Sequence, residues 1–188
     1  MRIMAVFDIR SFKYKEEHHF LIDANVWLDV FGPIPRSRRS GAYTTAMQDM
    51  RVKKSKIHLD VIILSEFINR YARILYQIEL LKYSGLTDEE KPKFKQFRDS
   101  PEFKLVAEEI RIVTKDIINT ATVCCNPDFD CDKAKAFTDV FGKDCIDFND
   151  QIIADTCKTK TLLLVTDDGD FRDYKEISIL TANPRAIS

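Results

Sequence analysis

An α/β fold with a mostly parallel central sheet flanked by helices is the architecture the sequence predicts, and three observations carry that prediction. Apolar runs of strand length, "FLI" at 20–22 and "TLLLV" at 161–165, are each followed at once by acidic residues. The stretches between them repeat apolar residues at helical spacing, the alternation expected of strands and helices in one layered domain. Five glycines and six prolines in 188 residues are too few for a turn-rich all-β fold or a disordered chain.

Taken in order, "FLI" reads as a short buried strand. "NVWLDVF" then opens a helix that stops near Gly32, Pro33 and Pro35, because proline cannot continue it. Pro33 to Lys56 is polar and basic: "PRSRRSGAY" is expected as a loop and "TTAMQDMRVKK" as a helix without a core face of any width. "KIHLD" is a brief strand, followed by a long helix to about Leu81 with Asp60 as its N-cap. Val61, Leu64, Ile68, Ala72, Leu75 and Ile78 make that helix's apolar stripe.

Residues 84–100 are charged and broken by Gly85 and Pro92, so they form a connection or a short surface helix. Pro101 starts another helix, with Phe103, Val106, Ile110, Val113 and Ile117 facing the core. "CCNPDFDCD" breaks it, and "DKAKAFTDVFG" is a shorter helix ending at Gly142. "DCIDFNDQIIADTCKTK" forms the penultimate helix, with Asp147 as N-cap and Asp150 in its first turn. "TLLLV" is unbroken in the way of a parallel strand covered on both faces, and "ISIL" is the last strand.

With 29 basic and 30 acidic residues, the formal net charge of −1 leaves no global field to draw in nucleic acid, so any such contact must come from a local patch. Cys124, Cys125, Cys131, Cys145 and Cys157 are odd in number and lack the paired spacing of a zinc site, which fits reduced bystander thiols. The amino terminus is too often interrupted by charge for a signal peptide, and no apolar run is long enough for a membrane helix. A soluble, cytoplasmic protein without a membrane partner is expected. His18, His19 and His58 show no ligand spacing and receive no catalytic role, and Trp27 is expected in the core.

In open parallel sheets ligands bind beyond the carboxyl ends of the strands. Asp23 follows "FLI" and "TDDGD" follows "TLLLV", while Glu66 and Asp150 sit early in helices that start at the same edge. Each acid also has a plainer reading. Asp23 could cap the next helix, Glu66 could pair with Arg70 four residues on, and Asp147 competes with Asp150, which we take as the ligand. Four carboxylates in one crevice would nevertheless repel each other unless a cation neutralised them. Hard oxygen donors suit Mg2+ or Mn2+, and the chemistry implied is metal-assisted attack of water on a phosphodiester.

"LIDANVWLDV", "LSEFINR", "DFNDQIIADTCK" and "LLLVTDDGDF" resemble, in order, the successive motifs of the PIN-domain nucleases, particularly the VapC-type ribonuclease toxins. The resemblance implies a PIN-like three-layer fold over residues 20–188, with 1–19 as an amino-terminal extension. It implies a Mg2+- or Mn2+-dependent endoribonuclease in which Asp23, Glu66, Asp150 and Asp168 are catalytic metal ligands. Asp170 joins them as a ligand, Asn25 and Thr166 support the site, and Asp167 is expected to face solvent.

Arg36, Arg38 and Arg39, joined by Lys53, Lys54 and Lys56, are the basic concentration expected to meet the RNA substrate. A small antitoxin protein and a homodimer are the implied partners. The alternatives are a PIN-like binding or scaffold module without turnover, or a non-toxin nuclease acting in RNA processing or on DNA.

Overall fold

The computed structural model describes residues 5–34, 37–140, 147–174 and 176–187. Among them are six strands: β1 (Val6–Asp8), β2 (His19–Ile22), β3 (Lys56–Asp60), β4 (Val123–Cys125), β5 (Leu163–Val165) and β6 (Ser178–Thr181). All adjacent pairs are parallel, in the order β1-β6-β5-β2-β3-β4. The central strand β2 carries Phe20, Leu21 and Ile22, each fully buried. Burying side chains of this size contributes about 1.5–3 kcal/mol apiece, which is why the apolar run before Asp23 takes the middle of the sheet.

The helices are α1 (Ala24–Phe31), α2 (Ser40–Val52), α3 (Val61–Leu80), α4 (Phe94–Arg98), α5 (Pro101–Thr120), α6 (Cys131–Val140), α7 (Phe148–Lys160) and α8 (Pro184–Ile187). On one side α1, α3 and α5 pack together, with α2 against α1 and α4 against α3 and α5. α7 packs on β5 and on α6, giving the second helical layer and hence three layers in all. The expected α/β class, with a parallel sheet between helices, is the fold observed. No helix among the described residues is long and apolar enough to cross a membrane.

Several helix starts follow the local chemistry. Asp60 accepts the backbone N–H of Ile62 at 2.8 Å at the start of α3, and Asp147 accepts that of Asn149 at 2.8 Å at the start of α7. Ser100 caps α5, whose first helical residue is Pro101.

The structure corrects three expectations. α2 has a core face after all, because Tyr43, Ala46, Met47 and Met50 repeat at helical spacing and are buried. The most buried face of α3 is Ile63, Phe67, Tyr71 and Ala72; of the expected stripe Leu64, Ile68 and Leu75 pack against the edge of the core, while Val61 and Ile78 are exposed. The Phe67 and Tyr71 rings meet at a tilt with centroids 5.6 Å apart, and both are buried on that face. β4 was hidden in a segment read only as a helix break.

At the amino terminus β1 pairs with β6 and extends the sheet. Phe12 and Tyr14 then pack their rings on Phe20 at 6.0 and 5.7 Å, so the segment leading into β2 lies on the core. The expected helix end at Gly142 and the thiol of Cys145 fall outside the described residues.

Candidate active site

β2, β3 and β4 step outward in one direction, and the chain then returns to lay β5 and β6 on the other side of β2. The crevice between the carboxyl ends of β2 and β5 is therefore the topological switch point of the sheet, where ligands of open parallel sheets bind. Asp23 and Thr166 are the first residues beyond those two strand ends, and the Asp23 N–H donates to the Val165 carbonyl at 3.0 Å across the gap.

Asp23 stands at the N-cap position of α1, yet its side chain makes no cap hydrogen bond. Its Oδ2 instead accepts from the Asn25 amide at 2.6 Å and from the Thr166 hydroxyl at 2.7 Å. The same hydroxyl accepts from Asn25 Nδ2 at 3.2 Å and from the Asp168 N–H at 3.0 Å, so its one donor and two acceptor positions are all used. Asn25 Oδ1 accepts the Asp167 N–H at 3.1 Å, and Asp168 Oδ1 accepts the Asp170 N–H at 3.0 Å. A closed network thus joins the end of β2 to the turn after β5.

Electrostatics draw two further elements into the crevice. Burial pushes the Asp23 carboxyl up to about 6, opposed by the Thr166 hydrogen bond and reinforced by the charges of Glu66 and Asp168. Asp150, in the first turn of α7, is pushed up to about 7 by burial and then by Asp23, Asp147, Asp168 and Glu66. Asp23, Glu66, Asp150 and Asp168 therefore share one field. Glu66 also makes the plainer contact its spacing allows, a 2.6 Å pair with Arg70. Asp170 is exposed at the rim.

The family profile for the PIN domain matches residues 20–177. The chain belongs to the PIN-domain family. PIN domains are generally nucleases, hydrolases that use divalent metal ions. Comparison with curated proteins gives no match.

Whether this PIN domain's residues suit such an ion can be judged from the donors. Among the described residues no group of three or more His, Cys, Asp or Glu side chains is gathered closely enough to form a metal cage. The acids are spread around the crevice, close enough for their charges to be felt at Asp23 and Asp150. An open array of carboxylate oxygens, with neither thiol nor imidazole among them, suits a hard cation that keeps part of its water shell.

Asp167 is not solvent-facing. Its side chain is 15% exposed, and its carboxylate accepts from Arg39 Nε at 2.7 Å, from a second Arg39 nitrogen, and from the Tyr43 hydroxyl at 2.6 Å. Its carbonyl accepts from Asn183 Nδ2 at 2.8 Å. Of the basic residues singled out, Arg39 lines the groove beside the crevice but is committed to Asp167. Arg38 is exposed and does not line it, and Arg36 lies outside the described residues.

Sequence reasoning missed Tyr174, whose buried hydroxyl has no hydrogen-bond partner among the described residues. Burial and the charges of Asp150, Asp147 and Asp170 raise its pKa, which places the ring beside the acids. A tyrosine four residues after Asp170 carries no spacing signal that would have singled it out.

Proposed function

We propose that this PIN domain is a metal-dependent endoribonuclease of the VapC type. The observation that carries the reading is the pair Asp23 and Asp150, contributed by elements far apart in sequence yet each raised well above the usual carboxylate range by burial and by the other acids. Such an accumulation of buried negative charge calls for a cation. Mg2+ or Mn2+ held by Asp23, Glu66, Asp150 and Asp168, with Asp170 at the rim, would supply Lewis-acid activation of water and neutralise charge developing on the phosphate.

The chain's own residues set up that chemistry. Thr166 and Asn25 hold Asp23 Oδ2 from two directions, fixing the carboxylate before any ligand arrives. Asp147 takes the capping duty at α7 and so leaves Asp150 free of it. Arg70 offsets the charge of Glu66. The substrate is RNA, with a small antitoxin as protein partner and a homodimer as the assembled form.

Cleavage of end-labelled single-stranded RNA in Mg2+ or Mn2+ tests this reading. Activity should vanish in EDTA and in both Asp23→Asn and Asp150→Asn. Cleavage indifferent to both substitutions, or confined to a single-stranded DNA of the same sequence, would overturn it.

A further inference from the structure

A groove of about 650 Å³ opens from Asn25 and Asp168 outward. Four guanidinium groups line it, each from a different element: Arg39 just before α2, Arg70 on α3, Arg172 in the 3-10 turn Asp170–Asp173, and Arg185 on α8. Arg39 pairs with Asp167 and Arg70 with Glu66. Arg172 and Arg185 are exposed at the far end, where an Arg172 nitrogen donates to the Arg185 carbonyl at 3.3 Å.

Every residue lining the groove is charged, polar or glycine. No aromatic ring is among the residues that line it to stack a base, whereas guanidinium forks match phosphate oxygens bidentately. We propose that this groove seats the sugar–phosphate backbone of the RNA next to the cleaved bond, with Arg172 and Arg185 as its phosphate contacts and the bases turned outward. The assignment rests on the ribonuclease reading above.

The far end of the groove is held rigidly to the acids. Asn183 donates from Nδ2 to the Asp167 carbonyl at 2.8 Å, and its Oδ1 accepts the Arg185 N–H at 3.1 Å. The turn that carries Asp168 thus also sets α8, so a phosphate on Arg185 is in register with the acidic crevice. Asn183 and Arg185 both lie beyond residue 177, where the family match ends. Contacts of this kind position a strand without reading its sequence.

The test is binding of a fluorescein-labelled single-stranded RNA dodecamer in EDTA, by anisotropy, from 50 to 300 mM KCl. Each phosphate contact on a single strand contributes about 0.7 to the slope of log affinity against log salt. Arg172→Ala/Arg185→Ala should lower the native slope by about 1.4 and weaken binding about tenfold or more at the lowest salt. Arg172→Lys/Arg185→Lys, which keeps both charges, should restore most of the slope, and Lys104→Ala/Lys115→Ala, exposed on α5 and away from the groove, should bind with the native slope.

A native slope in the arginine-to-alanine variant, or a loss carried by the lysine pair instead, overturns the groove assignment while the ribonuclease reading stands. A native protein that neither binds nor cleaves RNA overturns that reading and the groove assignment with it.

Discussion

Arg39 and Asp167, 128 positions apart, are joined by a two-pronged hydrogen bond that ties the start of α2 to the turn after β5. Tyr43 completes the arrangement, donating to the same carboxylate while its oxygen accepts the Ala182 N–H at 3.1 Å. One aspartate outside the acid set thereby connects α2, β5 and the end of β6, and holds Asp168 beside Asp23 through its own backbone.

Asp167→Ala should therefore cost more than removing its partner. It removes the acceptor of both Arg39 nitrogens and the shortest partner of the buried Tyr43 hydroxyl, which keeps as acceptors only the more distant Thr166 carbonyl at 3.3 Å and Thr181 hydroxyl at 3.4 Å. A loss on the order of 2–3 kcal/mol is expected in urea unfolding. Arg39→Ala should cost about 1 kcal/mol, because Arg39 is 36% exposed and Asp167 keeps Tyr43. Equal losses in the two variants would show that Tyr43 and the backbone contacts contribute nothing.

Thr166→Val keeps the shape of a fully buried side chain and deletes the hydroxyl on which Asp23, Asn25 and Asp168 meet. Stability should fall by about 1–3 kcal/mol. The Asp23 carboxyl should titrate higher still, since that hydroxyl is the largest influence lowering it. Mn2+ affinity should drop about tenfold, the usual scale for losing a group that orients a ligand. Unchanged Mn2+ binding in a folded Thr166→Val protein would remove Thr166 from the site.

His58 gives the fold its own pH dependence. It is 7% exposed, its Nε2 lies 3.1 Å from His19 Nδ1, and burial, then His19, then Lys160 lower its pKa to about 4. The unfolded chain takes up a proton near 6.5, so this contribution is complete above that pH and is lost as pH falls toward 4, on the order of 2 kcal/mol. Asp23 and Asp150 act in the opposite sense without metal, their raised pKa values costing stability as pH rises through 6 and 7. The comparison that isolates the histidine is His58→Leu against the native chain between pH 4.5 and 7: the variant should gain relative stability toward acid. A constant difference across that range would contradict the assignment.

Much of this fold and site is legible in the sequence. "FLI" and "TLLLV" are apolar enough to demand burial on both faces, so the strands that carry Asp23 and Thr166 could be placed from composition alone. Asp60 and Asp147 were readable as caps because capping is a contact between near neighbours. What escaped depends on residues distant in sequence. β1 and β4, each three residues long, exist only because β6 and β3 offer them edges. The role of Asp167 is invisible without Arg39 and Tyr43 beside it, and nothing local distinguishes it from the acids on either side. The α3 stripe was legible only in part for a related reason: Leu64, Ile68, Ala72 and Leu75 meet the core, but the packing partners favour the neighbouring face of Ile63, Phe67 and Tyr71.

The central claim is that carboxylates from β2, α3, α7 and the turn after β5 make one divalent-cation site. Its most direct test is an Mn2+ titration at pH 7.5, followed by loss of the free-ion electron paramagnetic resonance signal. The account predicts saturable binding by the native chain, weakened at least tenfold in Asp23→Asn and in Asp150→Asn. Native affinity in both variants would contradict it.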